Sequence, residues 1–201
     1  VSRIVAVSPL LGDAAFSAGG TVHRHARHGH ELVIVTVFTA TSPLRAPDDE
    51  AAKVLNAAGA IHLALDEAAA RGYDDPFTGV RDDDDAPRVA AAVLTVALGQ
   101  LEADLVLGPA AIDSHVDRVI VDRVLEDLAL PRLRWLEQPY AMRHPDAVPE
   151  GERVAVPLDP PDLAAKLDAC TLYPERVEAE FGDEQRLRTQ LTTEAELFVR
   201  R

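Results

Sequence analysis

Short apolar runs of strand length alternate along the chain with amphipathic stretches of helix length. Residues 3–7, 31–38, 61–65, 104–108 and 132–136 are mostly Val, Ile, Leu and Ala, a pattern expected of strands buried in a parallel sheet. Between them, apolar positions recur at helical spacing. Val116, Val119, Ile120, Val124 and Leu128 share one face of a helix predicted over 115–128. Helices are also predicted over 21–28, ending at Gly29, over 48–58, closed by Gly59, and over 87–101. Residues 66–85 are polar and read as a surface excursion. Residues 153–156 read as a short edge strand. Two last helices are predicted over 162–172 and 183–201, split at Pro174. The alternation has no repeats and no low-complexity linker. It predicts one α/β domain over residues 1–201, a Rossmann-like open and mostly parallel sheet with helices on both faces.

Composition narrows the function more than the fold. The 201 residues are 47% hydrophobic and carry a formal net charge of -14. Such a surface is self-repelling and soluble. It disfavours nucleic acid, whose phosphates need Lys and Arg partners, and it disfavours anionic membrane surfaces. No apolar run approaches the ~20 residues of a membrane span, and no basic segment precedes a signal-like stretch. A cytoplasmic protein with a small-molecule ligand is expected, and a homo-oligomer is compatible with the sequence. Cys170 is the only cysteine, so neither an intrachain disulfide nor a thiolate metal site can form. Its setting reads as a core helix face. The four aspartates at 82–85 precede a helix and read as a solvated cap.

Two loops follow buried strands, over residues 9–20 and 109–118. In an open α/β sheet both lie at the carboxyl edge and face one crevice. The first carries one acid, Asp13, preceded by Leu10, Leu11 and Gly12. The second carries His115, Asp117 and Arg118. Asp13 reads either as a general acid/base or as a helix cap, and His115 either as a proton-transfer group near neutrality or as the cap of its helix. Asp117 is placed to orient His115 or to pair with Arg118. Arg118 suits an anionic substrate group or a structural ion pair. His23, His25, His28 and His30 form a cluster, the first three on a helix that reads as surface and His30 in the turn after it, and Trp135 reads as core. The segment 73–77 is either a substrate-covering loop or plain surface.

Several segments together resemble the PIG-L/LmbE-like family of zinc-dependent N-deacetylases, over nearly the whole chain. Val5-Ala-Val-Ser-Pro9 followed by Asp13-Ala-Ala-Phe-Ser-Ala-Gly-Gly-Thr21 resembles the family's first motif, usually Pro-His-x-Asp-Asp. Gly29-His-Glu-Leu-Val-Ile-Val-Thr-Val-Phe38 resembles its second strand. Asp104-Leu-Val-Leu-Gly-Pro109 with His115-Val-Asp117 resembles the second motif, usually His-x-Asp-His. Glu137-Gln-Pro-Tyr-Ala141 resembles the Glu-x-Pro-Tyr segment, and Lys166, Tyr173 and Phe181 fit the C-terminal helix pattern.

The resemblance implies the family's Rossmann-like fold and a zinc held by a His and the second Asp of the first motif and the last His of the second. It also implies a base at the first Asp and transition-state assistance by the first His of the second motif. Leu10 then stands at a ligand position, Gly12 at the base and Arg118 at another ligand, while Asp13, His115 and Asp117 are kept. A catalytic zinc needs about three protein ligands. The expectation is therefore no metal and no cofactor. His115, Asp117 and Asp13 become candidate catalytic residues, and Arg118, Tyr140 and Glu137 candidate substrate-binding residues. The expected function is a metal-independent enzyme on a small polar metabolite, within natural-product metabolism if the family analogy extends so far. The alternatives are a non-catalytic binding or partner subunit, or a deacetylase with rebuilt zinc ligands.

Overall fold

In the computed structural model, which describes residues 1–200, seven strands form one sheet in the order β3-β2-β1-β4-β5-β7-β6. The strands are β1 (Arg3–Leu10), β2 (Glu31–Phe38), β3 (Gly59–Leu65), β4 (Leu105–Pro109), β5 (Arg132–Trp135), β6 (Glu152–Pro157) and β7 (Ala195–Arg200). The first five are parallel. β7 runs antiparallel between β5 and β6. The helices are α1 (Asp13–Arg27), α2 (Arg45–Val54), α3 (Ala86–Leu101), α4 (Val116–Asp127), the single turn α5 (Tyr140–Arg143), α6 (Pro160–Thr171), α7 (Pro174–Phe181) and α8 (Glu184–Leu191). This is the open, mostly parallel α/β sheet that the sequence predicts, with β6 at an edge.

Alternation along β2 shows how the core divides. Leu32 and Ile34 join Phe16 of α1, Ala51 of α2, Leu167 of α6, Val177 of α7 and Leu187 of α8 on one face. Val33, Val35 and Val37 join Leu94 of α3 and Ile120 of α4 on the other. Both faces of the central strands are covered, so they read as continuous apolar runs. The strand order reverses at the β1–β4 pair, which puts the loops after β1 and β4 side by side at the carboxyl edge.

Three predicted elements differ. The first helix begins at Asp13 rather than residue 21, so Gly19 and Gly20 lie inside α1 instead of ahead of it. Their value is close approach. A Cβ on Gly20 would lie 2.5 Å from Leu158 Cδ1, and one on Gly19 would lie 3.3 Å from Lys166 Cγ. The helix predicted over 48–58 is shifted to α2. The helix predicted over 183–201 is only α8, and residues 195–200 form β7; Arg201 lies outside the described residues. Cys170 and Trp135 are fully buried, as expected. Burial pushes the Cys170 thiol up to about 12, so it stays protonated.

β7 is tied into the helical layer by a buried charge. Glu196 accepts from the amides of Gly20 (3.1 Å) and Thr21 (2.7 Å) and from Lys166 Nζ (2.7 Å). Lys166 and Glu196 are both buried. Removing one partner of such a pair leaves the other uncompensated. Lys166→Met should therefore lower unfolding free energy by about 3–5 kcal/mol, read from denaturant midpoints. A loss below about 1 kcal/mol, the range of an exposed pair, would show that Glu196 tolerates losing its cation.

Candidate functional site

The turn out of β1 is set by short polar contacts. Ser8 Oγ donates to the Leu10 carbonyl (2.7 Å) and accepts from the Ala14 amide (3.1 Å). Gly12 sits at φ +86°, a conformation that side chains disfavour. Its amide donates to Asp48 Oδ1 (2.9 Å), which also accepts from the Tyr173 hydroxyl (2.7 Å). Asp48 Oδ2 accepts from Thr36 Oγ1 (3.0 Å) and meets His62 Nε2 at 3.2 Å. The helix cap is Gly12. Asp13 is the first helical residue and does not cap α1.

The loop after β4 is held from below by Glu137, which accepts from the amides of Ala111 (2.7 Å) and Ile112 (3.1 Å). It delivers His115 as the cap of α4. His115 Nδ1 accepts from the Asp117 amide at 3.2 Å, which assigns the proton of the neutral ring to Nε2. Burial, reinforced by the Arg118 charge, lowers the His115 pKa. Its ring meets Phe77 edge-on at 5.4 Å, and Phe77 is half exposed. The segment 73–77 therefore reaches the site, although Tyr73 itself is buried.

The two loops meet through charge. Arg118 Nη2 and Nε donate to Asp13 Oδ1 (2.6 Å) and Oδ2 (2.9 Å), a two-pronged pair, and Arg118 Nη1 pairs with Asp113. Arg176 of α7 adds a second cation on Asp13 Oδ1 (2.9 Å) and stacks over the Phe16 ring at 4.3 Å. Burial pushes the Asp13 pKa up, but Arg118 and Arg176 outweigh it and hold the carboxyl at about 2. Arg118 is held still more firmly in its charged form: burial opposes the charge, and Asp13 and Asp113 outweigh burial. Glu137 has the opposite balance. Burial raises it to about 7, although Arg118 and its two amide bonds oppose the rise.

Asp117 does not orient the His115 ring with its carboxylate. That group is turned the other way, pairing with Arg71 Nη2 (2.8 Å) and accepting from the Ala68 amide (3.1 Å). It therefore fastens the segment after β3 to α4. Arg118 is spent on two carboxylates instead of standing ready for an anion. Glu137 is 3% exposed, so it supports the β4 loop rather than lining an open crevice. Tyr140 is half buried and packs its ring on His144 at 4.3 Å. His25 and His30 meet at 5.3 Å, and His23 Nδ1 meets Asp162 Oδ1 at 2.8 Å. Among the described residues no three His, Cys, Asp or Glu side chains gather to hold a metal.

The zinc that the sequence resemblance implies does not fit these residues. Leu10 offers no lone pair, and Arg118 is a permanent cation whose guanidinium covers both Asp13 oxygens. The base position is closed as well. A Cβ on Gly12 would lie 3.2 Å from Tyr173 Cε1, on a backbone already at positive φ. Sequence reasoning missed Arg176, Asp113 and Asp48. Each is one charged residue on a helix or loop, and only the fold reveals that it meets the first motif.

Charge pairing makes two outcomes measurable. Arg118→Ala should destabilise the fold by about 3–5 kcal/mol, and Arg118→Lys should recover only part, because an ammonium cannot bridge both oxygens. Full recovery by Lys would show that charge alone suffices. For Glu137 the folded pKa lies above the unfolded one, so the folded protein binds more protons between about pH 4.5 and 7. Stability should fall as pH rises through that window, by on the order of 3 kcal/mol. Thermal melts from pH 4.5 to 8 should show this slope in wild type and lose most of it in Glu137→Gln.

No family model matches the sequence, and no curated protein matches it. Solved structures do. Teicoplanin deacetylase in its zinc-inhibited form superposes with a TM-score of 0.84 at 20% identity, covering 98% of this chain and 97% of that one. N,N'-diacetylchitobiose deacetylase from Pyrococcus horikoshii gives 0.64 at 16% identity, over 99% and 83%. A 4-carboxy-2-hydroxymuconate hydratase from Pseudomonas putida gives 0.58 at 14%, over 99% and 95%. The chain thus has, over nearly its whole length, the fold of these deacetylases.

Proposed function

We propose that this protein is a zinc-free member of the deacetylase fold, whose crevice binds a small polar molecule without hydrolysing it. One observation carries the reading: Arg118 and Arg176 together engage Asp13, the one ligand-type residue kept in the first motif. A hydrolase of this design needs a polarised water and a base beside it. Here the Asp13 carboxylate is neutralised, Gly12 is closed by Tyr173, and the Asp117 carboxylate is engaged with Arg71 and Ala68. His115, with Nε2 as its donor, and Tyr140 are the side chains proposed to meet the ligand. The guanidinium of Arg118 is proposed to hold the crevice floor rigid.

The ligand class follows from charge. Asp113, Glu137 and Glu180 surround the Asp13 pair, so the two arginines leave no spare positive charge for an anion. A neutral polar group, such as an amide or hydroxyl, is the better match. The names of the neighbours, which put teicoplanin and N,N'-diacetylchitobiose as molecules deacetylated on this fold, agree with that class and with a place in natural-product metabolism.

A second reading keeps one supporting observation. His115 with a lowered pKa and Glu137 near 7 are groups of the kind that transfer protons at neutral pH. The fold also carries a neighbour named for hydration rather than deacetylation.

Two measurements separate the readings. Elemental analysis of the purified protein should find no stoichiometric zinc, and a chelator should leave its melting temperature unchanged; zinc bound near one per chain and lost in Asp13→Asn would overturn the proposal. A thermal-shift screen of amide- and hydroxyl-bearing metabolites should give a ligand that His115→Ala binds more weakly and that wild type returns unchanged. Conversion of that ligand, slowed ~100- to 10,000-fold by His115→Ala, would establish the acid/base enzyme instead.

A further inference from the structure

A cavity lies on the α4 side of the sheet, against β4, β5 and β7, away from the two motif loops. It has a volume of about 610 Å³ and is lined by Leu105, Leu125, Leu130, Arg132, Arg134 and Arg200, among others. That volume lies in the range of small-molecule sites. Two of its arginines, Arg134 buried and Arg132 partly buried, share a single carboxylate. Asp122 Oδ1 accepts from Arg132 Nη2 (2.7 Å) and Arg134 Nε (3.0 Å), and Oδ2 accepts from Arg134 Nη2 (3.2 Å). Main-chain carbonyls take further donors: Arg132 Nη1 reaches Asp122 O at 2.7 Å, and Arg134 Nη2 reaches Ala110 O at 3.3 Å. Asp122 by itself offsets only one of these two guanidinium charges.

Arg134 is 3% exposed, and among the described residues its Nη1 is buried without a hydrogen-bond partner. A buried N–H without an acceptor is costly, even on a guanidinium whose charge is already paired. Burial and the neighbouring Arg134 charge both depress the Arg132 pKa, which has the same physical origin. Arg200 adds a third guanidinium from β7, exposed and paired with Glu152 at 3.4 Å. Glu126, also on the wall, is exposed and has interactions of its own. Leucines make up much of the rest of the lining, so guanidinium groups and the Glu126 carboxylate share the wall with apolar surface.

We infer that this cavity binds a small molecule carrying an oxyanion, carboxylate or phosphate, on Arg132, Arg134 and Arg200, with an apolar body laid against Leu105, Leu125 and Leu130. The guanidinium fork suits either anion. The inference does not depend on the proposed function, because none of these residues touches Asp13, Arg118 or His115.

The test uses inorganic phosphate and octanoate as separate probes, titrated by calorimetry and thermal shift, with sodium chloride at matched ionic strength as control. At least one probe should bind saturably and raise the melting temperature where chloride does not. Phosphate alone would mark a phosphate site, and octanoate a carboxylate site with a used apolar wall. Arg200→Glu reverses an exposed charge and should fold; it should weaken the bound probe about tenfold or more. Arg134→Lys keeps the charge, loses the fork, and should do the same, and if it fails to fold Arg200→Glu carries the test. Two results would overturn the inference: neither probe exceeding chloride, or Arg200→Glu binding as tightly as wild type.

Discussion

Asp13 is a carboxylate almost out of reach of water, and such a group must have a cation beside it or lose its charge. Much of the candidate site's architecture answers that requirement. Arg118 comes from the first turn of α4 and Arg176 from α7, so one buried anion ties the β1 turn, the β4 loop and the C-terminal helices together. The same rule recurs at Glu196, which joins α1, α6 and β7 through Lys166 and two helix amides. Asp117 repeats it a third time with Arg71. Buried pairs of this kind add little net stability compared with an apolar core. They tie particular elements together, because separating a pair leaves a buried charge uncompensated.

The sheet was legible in the sequence because its central strands are buried on both faces, which leaves continuous apolar runs at 31–38 and 104–108. The errors fell where local pattern and tertiary role part company. Gly19 and Gly20 look like a loop, since glycine lowers helix propensity by about 1 kcal/mol relative to Ala. Their place inside α1 makes sense only once Leu158 and Lys166 are seen packing over them. Residues 195–200 read as the end of a helix because Glu196, Leu197 and Arg200 are not an apolar run. β7 has one buried polar side chain, Glu196, and that charge is satisfied by residues 30 and 176 positions away in sequence.

The site was legible in part, and the divide again has a physical cause. Asp13, His115 and Arg118 sit in loops whose position after a strand can be read directly, and the motif spacing pointed to them. Their partners could not be read. Arg176 reaches Asp13 across 163 residues and Tyr173 reaches Asp48 across 125. A lone arginine in Pro174–Phe181 carries no local mark of a buried partner. The role assigned to Asp117 failed for a related reason. Adjacency in sequence suggested that its carboxylate serves His115, but only its amide does, and the side chain leaves the helix toward Arg71.

Placing a guanidinium beside Asp13 changes what the crevice can do more than it changes the crevice's charge. A zinc ion accepts lone pairs, so it can bind water and lower that water's pKa toward neutrality. A guanidinium has no vacant orbital. It offers N–H donors in a fixed plane and keeps its proton throughout the physiological range. Either kind of cation can compensate the Asp13 carboxylate. A guanidinium does not supply the water activation that a metal can. What is left is a rigid floor of matched charges, with a neutral His115 at its edge and an exposed Phe77 ring against that imidazole. That arrangement can select a polar molecule by shape and by a single imidazole donor. For any bond-breaking step His115 is the group placed to carry the proton, since Glu137 is buried beneath the β4 loop.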